Sequence, residues 1–244
     1  MELALNEELD LEVAALELAR AGRVQIPDFL APPSAQAIYE VLLRRTPWQY
    51  VVSRGTERWV IDQRRFAQLT PQQVRQIEGE VAATAREGFA FFFRNFSMSA
   101  ERKQGRRDDH PLFDVLDFMN SPAYLGAIRA VTGREDIVEA DGNASCYGPL
   151  SFLADHDDSK NDETRIAAYV LNLTPSWKPA WGGHLQFFDQ RGNITGGLMP
   201  SWNTLNVFLV PARHAVGQVA SYAGSLRYAI QGWFKGAAPE HAPS

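Results

Sequence analysis

From about residue 140 onward the chain reads as six short apolar runs, Ala144 to Tyr147, Arg165 to Leu173, Gly183 to Phe188, Thr204 to Val210, Gly217 to Tyr222 and Leu226 to Phe234. Gly182-Gly183, Gly192-Asn193, Gly196-Gly197 and Pro200 punctuate them. Six short strands with turn signals between them suggest a sandwich or jelly roll.

The first half carries helix signals instead. Leu9, Leu11, Val13, Leu16 and Leu18 recur at helical spacing among acidic residues, which predicts an acidic amphipathic helix. Val24 to Phe29 reads as one strand ended by Pro32-Pro33, with Ser34 capping a helix through Leu43. Thr70, Pro71 and Gln73 form a capping box for a helix that stops at Gly88, and Ser121-Pro122 opens another that Gly133 ends. Phe89, Phe91, Phe92 and Phe93 read as core of this helical layer. Ser97 to Asp109, with Arg102, Lys103, Arg106 and Arg107 around Gly105, reads as a solvated loop of the kind that can act as a lid. The expected fold is mixed α+β, mainly β: a sandwich or jelly roll under an N-terminal helical layer. The expected division is a helical layer and first strands at 1–139, a barrel core at 140–236 and a tail at 237–244, all in one structural domain.

Composition narrows the chemistry. The 244 residues carry a net charge of −5, which gives no overall field for nucleic acid or an anionic membrane. No apolar stretch approaches the ~18 residues of a membrane span, and no targeting segment is expected, so the reading is a soluble, cytoplasmic protein. A single cysteine, Cys146, excludes an internal disulfide and a cysteine-based zinc site. Any metal centre must use carboxylates and the five histidines, His110, His156, His184, His214 and His241.

His156-Asp157-Asp158 places a histidine and a carboxylate two apart, on one face if the segment is a strand, although a polar loop would look the same. His214 follows the apolar run ending at Val210, where a jelly roll can fold it back beside the first pair. Two imidazoles and one carboxylate leave open positions on a metal and suit non-haem Fe(II). Arg227 begins the run Arg227-Tyr228-Ala229-Ile230-Gln231-Gly232-Trp233-Phe234. An inward arginine there needs an anion, either a bound carboxylate or one of the chain's own acids.

The order His-x-Asp, distal His, then Arg on the following strand resembles the Fe(II)/2-oxoglutarate dioxygenases, in their prolyl-hydroxylase-like branch. Gly182-Gly183-x-Leu185 and the run from Arg227 to Phe234 resemble that branch's turn and closing strand. Tyr147 stands nine residues before His156, where the branch often has a tyrosine. Pro200-Ser201-Trp202-Asn203 and the strand after it look closest to the ribosomal-protein prolyl hydroxylases. The resemblance implies a double-stranded β-helix (jelly roll) with Fe(II) on His156, Asp158 and His214, 2-oxoglutarate held at its C5 carboxylate by Arg227 with Tyr147 beside it, and O₂ as the other cosubstrate. Ascorbate is an implied stimulant, and no further catalytic side chain is needed. The implied activity is hydroxylation of an unactivated C–H bond, first of all on a prolyl residue of a protein, with succinate and CO₂ as coproducts. The alternatives are a free amino acid or small metabolite as substrate, or a cupin-like metal-binding protein without oxygenase activity. Neither a membrane nor a nucleic acid is an expected partner, and oligomeric state is open.

The sequence departs from the branch at Leu150, where a glycine is frequent, at Leu153, where a tyrosine is frequent, and at Val170, aligned with a tyrosine that bonds the far carboxylate; Tyr169 should face the other way. The remaining groups read as ordinary: Asp155 and Asp157 solvated or behind the ligands, His184 half-exposed or hydrogen-bonded, His110 and His241 on the surface, and Cys146 packed. Trp177 and Trp181 either line an entrance or pack their loop.

Overall fold

The computed structural model describes residues 1–106, 109–158 and 164–237. In chain order the elements are α1 (Leu11–Ala21), β1 (Arg23–Ile26), α2 (Pro32–Arg44), β2 (Gln49–Arg54), β3 (Glu57–Asp62), α3 (Gln63–Ala67), α4 (Pro71–Glu87), β4 (Phe91–Phe96), α5 (Met98–Lys103), α6 (Leu112–Met119), α7 (Pro122–Thr132), β5 (Ile137–Ala140), β6 (Asn143–Tyr147), β7 (Phe152–His156), β8 (Arg165–Asn172), β9 (Leu185–Phe188), β10 (Ile194–Leu198), β11 (Thr204–Leu209), β12 (His214–Val216) and β13 (Arg227–Gly236).

Local chemistry sets the helix ends. Asp10 accepts from the Val13 N–H at the start of α1, and Gly22 ends it with φ 68°, a left-handed conformation that glycine adopts without a Cβ clash. Thr70 and Gln73 close the full capping box of α4, and Ser121 caps α7. Ser34 does not cap α2. Proline is pre-set for the first helical turn, so α2 begins at Pro32, and the Ser34 hydroxyl accepts from the Ala4 N–H at 2.9 Å instead.

The strands form one antiparallel sheet that curls into a nearly closed barrel, in the order β1-β11-β8-β13-β6-β4-β7-β12-β9-β10. The hairpin β2–β3 joins it through β4, and β5 pairs with β13. All but one residue of β8 are buried, because the strand is covered on both sides. Its Ile166, Tyr169 and Leu171 pack toward α1, α2, α6 and α7, while Ala168 and Val170 join Leu185, Phe187 and Phe208 inside the barrel. Two-sided burial is why this strand reads as a continuous apolar run.

Several elements differ from the expectation. Phe91 to Phe93 lie on a strand: aromatic residues fit a pleated surface well, and β4 runs through the barrel between β6 and β7; Phe92 still packs against Val81 and Ile77 of α4, while Phe91 and Phe93 face the other way. Met98 is fully buried and Glu101 bonds Arg106, so α5 forms where a solvated loop was expected; Arg107 lies outside the described residues. The strand expected at Gly217 to Tyr222 is displaced to His214–Val216, and Gly196-Gly197 lie within β10 instead of a turn. No described helix is long and apolar enough to cross a membrane.

Candidate metal and cosubstrate site

β7 and β12 run antiparallel, and their register sets His156 directly opposite His214. The rings lie 4.2 Å apart between centroids. β7 stops at His156, so Asp158 arrives from the turn beyond the strand and not from its face. Its Oδ1 lies 3.6 Å from His156 Nε2 and its Oδ2 lies 3.7 Å from His214 Nε2. One ligand atom from each of the three residues falls within 4.8 Å of the others. His156 Nδ1 bonds the Ala154 carbonyl at 2.9 Å and His214 Nδ1 the Ala212 carbonyl at 2.8 Å. A carbonyl only accepts, so each Nδ1 carries a proton, and each Nε2 is the ring nitrogen turned toward the shared point. Burial, reinforced by the neighbouring His156, lowers the pKa of His214 and favours the neutral form a metal requires.

The triad borders a cavity of about 380 Å³ with a largely apolar wall that includes Leu153, Val170, Leu185, Phe208 and Val216. Gln231, Asn143 and Asn95 supply polar atoms to it, and Arg58, Phe89 and Arg165 stand at its edge. Arg165 lies over the Trp233 ring, 3.8 Å from its centroid, and its Nη1 donates to the Asp158 carbonyl at 3.2 Å. Arg227 is 1% exposed, yet its Nε and Nη1 have no hydrogen-bond partner among the described residues. A buried guanidinium left this way is costly, and burial lowers its pKa. The acid partner allowed for Arg227 at the sequence level is absent from the bonds of the described residues. A carboxylate brought in by a small molecule fits that gap.

The other sequence candidates separate clearly. Asp155 pairs with Arg213, not with a histidine. His184 is half-buried, with its pKa lowered by burial and by the Arg227 charge. His110 is not a free surface group: its Nε2 bonds the Arg45 carbonyl and its Nδ1 accepts from the Leu112 N–H, which fixes the start of α6. His241 lies outside the described residues. Trp177 packs its loop, with its indole N–H donated to the Gly182 carbonyl at 2.9 Å and its ring 5.3 Å from Trp181. Tyr169 faces the helical side, as expected, and donates to the Asp141 carbonyl at 2.6 Å.

With this geometry in hand, the comparisons are informative. Residues 142–235 match the family described as the 2OG-Fe(II) oxygenase superfamily, and every residue of the triad and Arg227 lies inside the match. The chain is similar to two curated relatives. Over 104 residues the chain is 36% identical to prolyl 3-hydroxylase OGFOD1 of Xenopus laevis, covering 40% of this chain and 20% of that protein. Over 156 residues it is 31% identical to prolyl 3-hydroxylase OGFOD1 of Mus musculus, covering 61% of this chain and 28% of that protein. The chain therefore spans less than a third of the length of either relative. Among solved structures, a Pseudomonas putida prolyl-4-hydroxylase superposes with a TM-score of 0.57 at 21% identity, over 93% of this chain and 100% of that one, which shows the shared fold.

The convergence of His156, Asp158 and His214 was legible in the sequence, but part of the cavity wall was not. Phe91 and Phe93 reach the cavity from β4 and Arg58 from β3, two strands in a region read as helical. Two short runs of β-forming residues, Tyr50-Val51-Val52 and Trp59-Val60-Ile61, divided by Gly55, were the available signal for the hairpin.

Proposed function

We propose that this chain is an Fe(II)- and 2-oxoglutarate-dependent hydroxylase acting on a prolyl residue of a protein. The observation that carries this reading is the pairing of an open two-histidine, one-carboxylate cluster with a buried, unmatched guanidinium in the same barrel. His156, Asp158 and His214 would hold Fe(II), and Arg227 would grip the far carboxylate of 2-oxoglutarate. When bound, that group supplies oxidative decarboxylation of the cosubstrate, coupled to C–H hydroxylation with succinate and CO₂ as coproducts. The protein's own contribution is orientation. Its Nδ1 bonds fix the imidazoles, its apolar wall excludes water, and its guanidinium sets the cosubstrate's direction. No side chain need move a proton. The prolyl substrate is supported by the names of the two curated relatives and by the family match.

The cofactor assignment is tested by anaerobic addition of Fe(II) and 2-oxoglutarate. A weak visible charge-transfer band is expected in the wild type, lost in His156→Ala and reduced in Arg227→Ala; no band in the wild type would overturn it. The substrate is tested by mass spectrometry of proteins from cells with and without the gene. A prolyl peptide should gain the mass of one oxygen atom only when the gene is present. A change confined to a metabolite would assign the small-molecule substrate instead.

A further inference from the structure

One polar side chain inside the barrel has no task in the mechanism above. Asn172, the last residue of β8, is 0% exposed. Its Oδ1 has no hydrogen-bond partner among the described residues. Its Nδ2 makes two contacts of 3.4 Å each, to the Val170 and Thr204 carbonyls, at the long limit of the interaction. A buried amide held this loosely on one side and left bare on the other is not explained by packing alone.

Register shows what lies nearby. Asn172 pairs with Ala229 of β13, and directly opposed residues share a face of the sheet. Arg227 stands two residues before Ala229 and therefore on that same inner face, diagonal to Asn172. Such diagonal neighbours are about 7–8 Å apart at the backbone, within reach of a long side chain. Ala229 carries only a methyl group, which puts no long side chain between them. Val170, the preceding inward residue of β8, has no polar atom to offer. The inventories are complementary: Arg227 has donors without acceptors, and Asn172 has an acceptor without a donor.

We propose that Asn172 is a positioning residue for the cosubstrate, and this rests on the reading of Arg227 as its carboxylate anchor. The Asn172 Oδ1 accepts from the guanidinium when the carboxylate is bound. That contact turns the planar fork so that its remaining donors face the ligand. A neutral acceptor suits this role better than a carboxylate, which would compete for the same cation.

The test is anaerobic calorimetry on the Fe(II)-loaded protein with two ligands, 2-oxoglutarate and 2-oxobutanoate. The second has the same 2-oxo acid head without the far carboxylate. Asn172→Leu should weaken 2-oxoglutarate by about ten- to hundred-fold, the loss expected of one hydrogen bond to a charged group, and leave 2-oxobutanoate unchanged. Asn172→Asp, which keeps the shape and installs a competing anion, should also weaken 2-oxoglutarate selectively; it keeps the test decisive if the leucine variant fails to fold. Wild-type affinity for 2-oxoglutarate in both variants would overturn the proposal, as would a parallel loss of both ligands. If the wild type itself binds the two ligands equally, the Arg227 reading falls and takes this one with it.

Discussion

Arg227 and Tyr147 are register partners on β13 and β6, and the guanidinium carbon lies 5.0 Å from the centroid of the tyrosine ring. Both side chains are fully buried. Phe93 stacks on the other part of this arrangement, parallel to Tyr147 with centroids 4.8 Å apart. The ring's π face offsets part of the cation's desolvation, but it cannot satisfy the N–H groups. The Tyr147 hydroxyl has no hydrogen-bond partner among the described residues.

It follows that Arg227 is a stability liability in the free protein. Arg227→Met keeps the length of the side chain and removes the buried charge. Replacing buried charges with apolar groups of similar volume is commonly neutral or stabilising, by about 1–4 kcal/mol. Thermal unfolding of the ligand-free variant should therefore occur at or above the wild-type temperature. With metal present in both, added 2-oxoglutarate should raise the midpoint of the wild type by more than that of the variant. A variant markedly less stable than wild type would mean that Arg227 already has its partner in the protein.

The departure at Leu150 has a backbone explanation. Its φ is 68°, in the left-handed region that favours glycine, and its N–H is held by the Val219 carbonyl at 2.9 Å. A side chain in that conformation costs roughly 1–2 kcal/mol. At an ordinary position glycine is less stable than alanine by about 0.5–1 kcal/mol, but here the order should invert. Denaturant midpoints of Leu150→Gly and Leu150→Ala check this, with the glycine variant expected to be the more stable of the two. Equal midpoints would show that the left-handed conformation is not strained.

These residues also show where reading the sequence stops. His156, His214 and Arg227 were legible because each sits beside a strand whose apolar pattern is plain, and the jelly roll dictates which strand ends meet. Leu150 was visible only as an unusual residue, since a positive φ leaves no mark when the glycine is missing. Phe91 to Phe93 misled because an aromatic run suits a helix core or a strand equally, and the choice is made by pairing with β6 and β7, far along the chain. Asp158 converges on the histidines from a turn, a geometry that spacing alone cannot supply. Asn172 looked like any strand-end polar residue until register set it diagonal to Arg227.

Cys146 gives a pH prediction. Its thiol is buried on β6, and burial outweighs the opposing pull of Arg94 to push its pKa up from 9.0 to about 11. The unfolded chain then releases this proton near pH 9 while the folded chain retains it to about pH 11. Between those values the unfolded state binds fewer protons, so stability falls as pH rises, by up to about 1.4 kcal/mol per unit. Cys146→Ala should lose less stability across that window than the wild type. The native thiol should resist alkylation at neutral pH and react once denaturant is added. Rapid native alkylation would contradict the burial.

Gly232 is fixed by its neighbours and not by its own dihedral angles. A Cβ built on it would lie 2.4 Å from both the carbonyl oxygen and Oδ1 of Asp141. Asp141 is itself held from several sides: its carbonyl accepts from Tyr169, its Oδ1 accepts from the Trp233 N–H at 2.8 Å, and its Oδ2 lies 3.1 Å from Lys235 Nζ. Gly232→Ala must displace this group or bend β13, at a cost of about 1–3 kcal/mol or somewhat more. Because Trp233 follows directly and lines the cavity, the same variant should shift the tryptophan emission of the folded protein. Asp141→Ala in the same chain should recover only part of the stability, since it removes the Oδ1 clash but leaves the backbone oxygen in place. Full recovery would show that the side chain alone excludes a Cβ, and a stable Gly232→Ala protein with unchanged emission would show that β13 is not pinned at Asp141.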